Sequence, residues 1–161
     1  YQKVNDYIRW GSDFEVIREN CRRILSAGHK LAFQTVFSMY NATRIHEIYE
    51  FYDKEFPGCN TLVQPASMTA GFLGPWNNPL KEEVLKSMYR CRQTEVYFNN
   101  GRNTDNLVEE MITRFENFDH DPRILSKFFR YNDKLDKSRN SKLVDYIPEL
   151  EQARRFLTNT K

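Results

Sequence analysis

The sequence predicts an α/β fold: a segment of a partial parallel (β/α) barrel over residues 1–65, a loop over 66–78 and a mainly helical C-terminal region over 79–161. Three observations predict it. The first 65 residues run helix, strand, helix, strand with short connections, the order of a parallel sheet built from crossover units. Both strand-like stretches are short and rich in β-branched or aromatic residues, and the second stops at a proline. After residue 79 apolar residues recur every three to four positions, the period of an amphipathic helix. A length of 161 residues is that of one ordinary domain, enough to bury a core without staples.

Taken in order, Ser12 followed three residues later by Glu15 makes a capping box ahead of the stripe Phe14, Ile17, Cys21, Ile24 and Leu25. Gly28 ends that helix, and Arg22 and Arg23 complement the dipole of its last turns. Residues 30–38, KLAFQTVFS, place Leu31, Phe33, Thr35 and Phe37 on one side and Ala32, Gln34, Val36 and Ser38 on the other. The pattern predicts a strand buried on one face and partly buried on the other, as in a sheet covered by helices. Asn41 or Thr43 caps the next helix, whose stripe of Ile45, Ile48, Tyr49, Tyr52 and Phe56 stops at Pro57-Gly58. Residues 61–64 form a second strand ending at Pro65.

The stretch 65–78, PASMTAGFLGPWNN, has no period, and a loop of that length inside a compact domain is functional or held by tertiary contacts. Helices are predicted over 79–91, 104–118 and 122 to about 135, and Asn78-Pro79 and Asp121-Pro122 each pair a cap with a first-turn proline. The charged run 133–142 is a frayed helix end or a solvated loop, and a last helix starts at Pro148 and carries Leu150, Ala153, Phe156 and Leu157.

Composition excludes several classes. The 24 Lys plus Arg and 22 Asp plus Glu leave a formal charge of +2 and are interleaved along the chain, so no basic patch points to nucleic acid. No apolar run approaches the ~18 residues of a membrane-spanning helix, so no membrane partner is expected. Cys21, Cys59 and Cys91 are too scattered for a disulfide framework or a metal-ligand set, which predicts no metal site and a reducing, cytoplasmic setting. The chain begins at Tyr1 and not at Met, as a fragment or a processed product would. The 12 Phe, 9 Tyr and 2 Trp fall mostly on the apolar stripes, so the aromatic excess is core rather than a base-stacking platform.

No GxSxG, phosphate-loop, HExxH or paired CxxC motif occurs, and the catalytic residues are not identified. His46 is expected as a half-buried or surface histidine, His29 and His120 lie beside turns, and Cys21 and Cys91 act as small hydrophobes. Cys59 has no basic neighbour to activate it. Ligands of parallel α/β sheets bind where the strands end. That rule selects Ser38, Tyr40 and Asn41 after the first strand, and Gln64, Pro65, Ser67 and Met68 after the second. It also selects Arg9, just before the capped helix, whose fork suits a carboxylate or phosphate.

The run from Asn5 to Tyr52 resembles the central stretch of radical S-adenosylmethionine enzymes of the twitch and SPASM-like branch, through Tyr7 to Arg9, Thr35-Val36 and Asn41. The segments NTLVQPASM and WNNPLKEEVLKSM resemble the tail of that branch, as do Asp136, Arg139 and the Pro148 to Leu150 element. The resemblance implies the C-terminal part of a radical S-adenosylmethionine-like enzyme that modifies peptides or proteins, with S-adenosylmethionine and a 4Fe–4S cluster as cofactors. Arg9 would contact the S-adenosylmethionine carboxylate, and Asn41, Leu62 and Gln64 would lie near its ribose and adenine. The family's CxxxCxxC signature is missing, so the cluster ligands would belong to an absent N-terminal half or another chain, and this chain alone would be inactive. The rival expectation is a non-catalytic helical interaction or assembly domain.

Overall fold

The computed structural model describes residues 2–66, 68–94, 107–117 and 120–157. α1 (Gln2–Ile8) precedes α2 (Phe14–Ser26), whose N-cap is Asp13 and not Ser12. The Asp13 carboxylate accepts the Glu15 and Val16 backbone N–H groups at 2.9 and 3.3 Å, two donors that an α-helix leaves without an internal partner. The expected capping box is therefore displaced by its neighbour, because an aspartate one residue closer satisfies the same donors with a full charge. Asp13→Ala should lower stability by about 1 kcal/mol while Ser12→Ala is nearly neutral, a difference read from urea unfolding midpoints. Gly28, at φ 81°, ends the helix region as expected.

β1 (Ala32–Phe37), α3 (Ile45–Glu55) and β2 (Asn60–Pro65) form one crossover unit. The strands are parallel, with Ala32 opposite Asn60 and Phe37 opposite Pro65. The fold of the described residues is mixed α/β, mostly helical, with a sheet of these two strands alone. Alternate residues decide its faces. Thr35, Phe37, Thr61 and Val63 are buried against helices, whereas Ala32, Gln34, Val36 and Gln64 are exposed. The second face, expected to be partly covered, is largely open among the described residues, with Leu62 half-buried on it. α3 packs on the buried face, with the Thr35 and Tyr52 hydroxyls 3.0 Å apart and the Phe33 ring stacked 4.7 Å from Tyr52.

After β1 the chain makes a tight turn in which the Asn41 side chain accepts the Ser38 N–H at 2.8 Å and donates to the Val36 carbonyl at 2.9 Å. Neither Asn41 nor Thr43 caps a helix by its side chain; Ala42–Arg44 is a 3-10 turn leading into α3, and the Thr43 hydroxyl donates to Glu149 at 3.1 Å. The segment 66–78, unperiodic in sequence, contains the 3-10 turns Met68–Leu73 and Pro75–Asn77. Tertiary contacts hold it, since the Leu73 carbonyl accepts the Met39 N–H at 2.9 Å. The Trp76 indole lies so close to Gly74 that any side chain there would meet it at 2.6 Å.

α4 (Lys81–Cys91), α5 (Leu107–Asn117), α6 (Pro122–Arg139), α7 (Leu143–Tyr146) and α8 (Glu149–Arg155) complete the described chain. Residues 104–106 and 118 of the expected helix lie outside the described residues. Most of the charged run 133–142 is helical: α6 continues to Arg139 and ends at Asn140 in the left-handed conformation, φ 50°. The short α7 was not apparent from periodicity, because four residues cannot show one.

Two hydrophobic cores result. One joins Phe37, Ile48, Val63, Val84, Met88, Ile112 and Phe115, and so packs the sheet on α3, α4 and α5. The other joins Val4, Tyr7, Tyr40, Leu125, Phe128, Leu143, Ile147 and Leu150, and so packs α1 on α6, α7 and α8. The turn after β1 belongs to both, since Phe37 and Ala42 enter the first core and Met39 and Tyr40 the second. No described helix is long and apolar enough to cross a membrane.

Candidate functional site: a groove at the edge of the sheet

The edge of β1 away from β2 has no strand partner among the described residues. α2 lies beside α3, on the same side of the sheet: the Phe14 and Phe51 rings are 5.4 Å apart, and Arg22 pairs with Glu55. Between the two helices and the free edge runs a groove of about 270 Å³. Its walls include Phe14, Ile17 and Cys21 from α2, Phe51, Tyr52 and Phe56 from α3, and Phe33 to Val36 of β1. α2 is amphipathic yet contains no fully buried residue. Of the large apolar side chains exposed to water, Ile8, Ile17 and Val36 line this groove. Burial of such surface contributes roughly 25 cal/mol per Å².

Arg9 lines the groove from the corner between α1 and α2. Its guanidinium has no ion-pair or side-chain partner among the described residues. Burial pushes the Tyr52 phenol up, and the Thr35 hydrogen bond and the Arg9 charge act against that. Arg9, Thr35 and Tyr52 line the same groove, and a guanidinium without a side-chain partner there is suited to a carboxylate.

The other expected ligand residues divide. Asn41 reaches the groove wall, but both ends of its amide are used by the Ser38–Val36 turn, so it acts as a staple of the loop. Leu62 and Gln64 sit on the open face of the sheet and not in the groove. The Gln34 amide donates to Gln64 at 2.9 Å across that face. Ser38 is buried, Tyr40 is committed to the second core, Pro65 is half-buried, and Ser67 lies outside the described residues.

Burial pushes the Cys91 thiol up to about 12 and raises Cys21 and Cys59 as well. No group of three or more His, Cys, Asp or Glu side chains able to hold a metal occurs among the described residues.

His46 and Ser87 invite a catalytic interpretation that the geometry does not support. Ser87 Oγ is 2.7 Å from His46 Nδ1, but it also accepts the His46 backbone N–H at 3.2 Å, and Ser87 is 2% exposed. The pair is a clip between α3 and α4. Burial, then Arg90, holds the His46 pKa below its usual value; Arg44 acts with Arg90, and Glu50 and Glu47 act against them. The unfolded chain therefore binds this proton near pH 6.5 and the folded chain only at lower pH. Stability from this site is complete above about pH 6.5 and falls as the pH drops below it. Urea midpoints measured at about pH 5 and 8 should show that slope, and His46→Gln should flatten it.

One cluster was not found from sequence. Tyr7, Tyr40, Asn132 and Asp136 form a hydrogen-bonded group in the second core, with Tyr7 and Asn132 both fully buried. Burial, then the Asp136 hydrogen bond, drives the Tyr7 phenol far above its ordinary value, and burial does the same to Tyr40. A signal existed: Asn132 continues the apolar spacing of Leu125, Phe128 and Phe129 and is polar where that stripe should be apolar. No protein-family model, curated protein or solved structure matches the chain.

Proposed function

We propose that this chain is the S-adenosylmethionine-facing section of a radical S-adenosylmethionine-type enzyme acting on a peptide or protein, with the cluster-bearing strands supplied by further polypeptide. The observation that carries this reading is the groove: an unpaired parallel edge, with Arg9 at its end and α2 lying beside α3 on one side of the sheet. In a parallel α/β sheet each strand is reached through a helix packed on the sheet. α2 precedes β1 as α3 precedes β2, so a strand seated on the free edge of β1 would have α2 as its crossover helix. Such strands would extend the two-stranded sheet toward a partial barrel and would cover the apolar surface of Ile17 and Val36.

In this reading Arg9 binds the S-adenosylmethionine carboxylate by its planar fork, while Gln34, Leu62 and Gln64 line the open face beyond it. Asn41 fixes the loop after β1 and contacts no ligand. S-adenosylmethionine bound next to a reduced cluster would supply hydrogen-abstracting radical chemistry; the cluster would sit on residues of the further polypeptide, since this chain carries no CxxxCxxC motif.

Sequencing and expressing the complete reading frame tests the proposal. It should carry a CxxxCxxC motif, and anaerobic reconstitution with iron and sulfide should give thiolate-to-iron absorbance near about 400 nm. Arg9→Ala in that protein should weaken S-adenosylmethionine binding by about tenfold or more, the worth of a charge-assisted hydrogen bond. A frame without the motif, or a reconstituted protein without a cluster, sinks the proposal. The exposed stripe of α2 favours a second reading, an assembly domain; concentration-dependent self-association in sedimentation, with no response to S-adenosylmethionine, would favour it instead.

A further inference from the structure

We propose that Arg139, at the end of α6, is a positioning residue for Arg9, fixing the corner that presents the Arg9 guanidinium to the groove; its functional meaning rests on the carboxylate role given to Arg9 above. Arg139 is 130 residues away in sequence, yet its partners bracket Arg9 closely. It donates from Nη1 to the Tyr7 carbonyl at 2.8 Å, and its guanidinium carbon lies 5.8 Å from the Tyr7 ring centre and 5.4 Å from that of Trp10. The Tyr7 carbonyl belongs to the last turn of α1, where carbonyls lack an intrahelical partner, so the arginine both caps the helix and meets its dipole. Trp10 is 53% exposed and meets Arg139 in this cation–π contact.

Arg139 is anchored in turn. The Tyr7 hydroxyl lies 2.9 Å from carboxylate oxygen of Asp136 and 2.9 Å from the Asn132 amide oxygen. The second Asp136 oxygen accepts the Leu143 N–H at 2.9 Å, and the Asp136 carbonyl accepts the Ser141 N–H at 3.0 Å. The left-handed end of α6 and the docking of Tyr7 therefore use the same residue. Arg9 itself donates its N–H to the Asn5 carbonyl at 2.8 Å and accepts the Ser12 N–H at 2.9 Å. Its backbone is held on every side, and its side chain alone is free to meet a ligand. Holding a binding group in place beforehand removes part of the ordering cost of association. Lysine at 139 could keep the carbonyl bond, but it lacks the planar surface that touches two rings at once.

NMR tests this on the chain without any ligand. The heteronuclear NOE of the Arg9 backbone N–H should report a rigid corner in the wild type, an intermediate value in Arg139→Lys, and loss of restraint in Arg139→Gln. The Trp10 indole N–H should lose restraint in parallel. A purely structural cap would lower the melting temperature of the glutamine variant and leave the Arg9 signal as it was. Equal Arg9 order in every variant that folds overturns the proposal. Should Arg139→Gln not fold, the lysine variant against wild type decides by the same criterion. A complete protein that failed to bind S-adenosylmethionine would sink the functional reading of Arg9 and leave this measurement standing.

Discussion

Asn132→Leu should lower the unfolding free energy by roughly 2–3 kcal/mol, even though leucine shares the branching of asparagine. Asn132 has no exposure to water. Its Oδ1 accepts the Tyr40 hydroxyl at 3.0 Å and lies 2.9 Å from that of Tyr7, while its Nδ2 donates to the Phe128 carbonyl at 2.9 Å. In the leucine variant the Tyr7 hydroxyl keeps Asp136, but the Tyr40 hydroxyl is left in a dry core without an acceptor. Leaving a buried donor unpaired costs far more than a hydrogen bond contributes on balance, whereas removing both partners is nearly neutral. Adding Tyr40→Phe to Asn132→Leu should therefore recover most of the loss, and urea unfolding of the four proteins of this cycle measures it. Strictly additive penalties would show that the two side chains do not act as one network.

The same network marks the boundary of what the sequence could disclose. Elements with their own period were legible: the stripes of α2, α3 and α6, the alternation of β1, and the stop at Gly28 all follow from local residues. Choices between near-equivalent neighbours were not. Asp13 displaces Ser12 as a cap, and Asn41 turns back to Ser38 and Val36 because three-dimensional turns, not spacing, decide which donor is in reach. α1 was invisible because seven residues with Val4 and Tyr7 as its buried apolar side chains carry no pattern; it is set by packing on helices more than 120 residues away. Of the residues expected near a ligand, Arg9 lines the groove with its side chain without a partner among the described residues, whereas the Asn41 amide is spent on the loop after β1.

Phe37→Ala should cost about 3–5 kcal/mol, while Val36→Ala, one residue earlier on the same strand, should change stability by less than about 0.5 kcal/mol. Phe37 is fully buried, its ring 6.3 Å from Phe115, at the point where the sheet meets α5. Val36 points the other way and is 53% exposed. The contrast follows from the pleat, since successive side chains take opposite faces. It also discriminates between the two accounts of the open face. Covered by the further strands of a partial barrel, or by what those strands enclose, Val36 would lose its contact with water. Deleting its two methyl groups would then cost at least about 1 kcal/mol. If the proposed further polypeptide adds those strands, Val36→Ala should be nearly silent in the 161-residue chain and clearly destabilising in the longer protein, with Phe37→Ala severe in both. Silence in both settings would mean that the face of Gln34, Val36 and Gln64 is a solvent face, that the sheet has one core only, and that the barrel reading is wrong even if Arg9 binds a carboxylate.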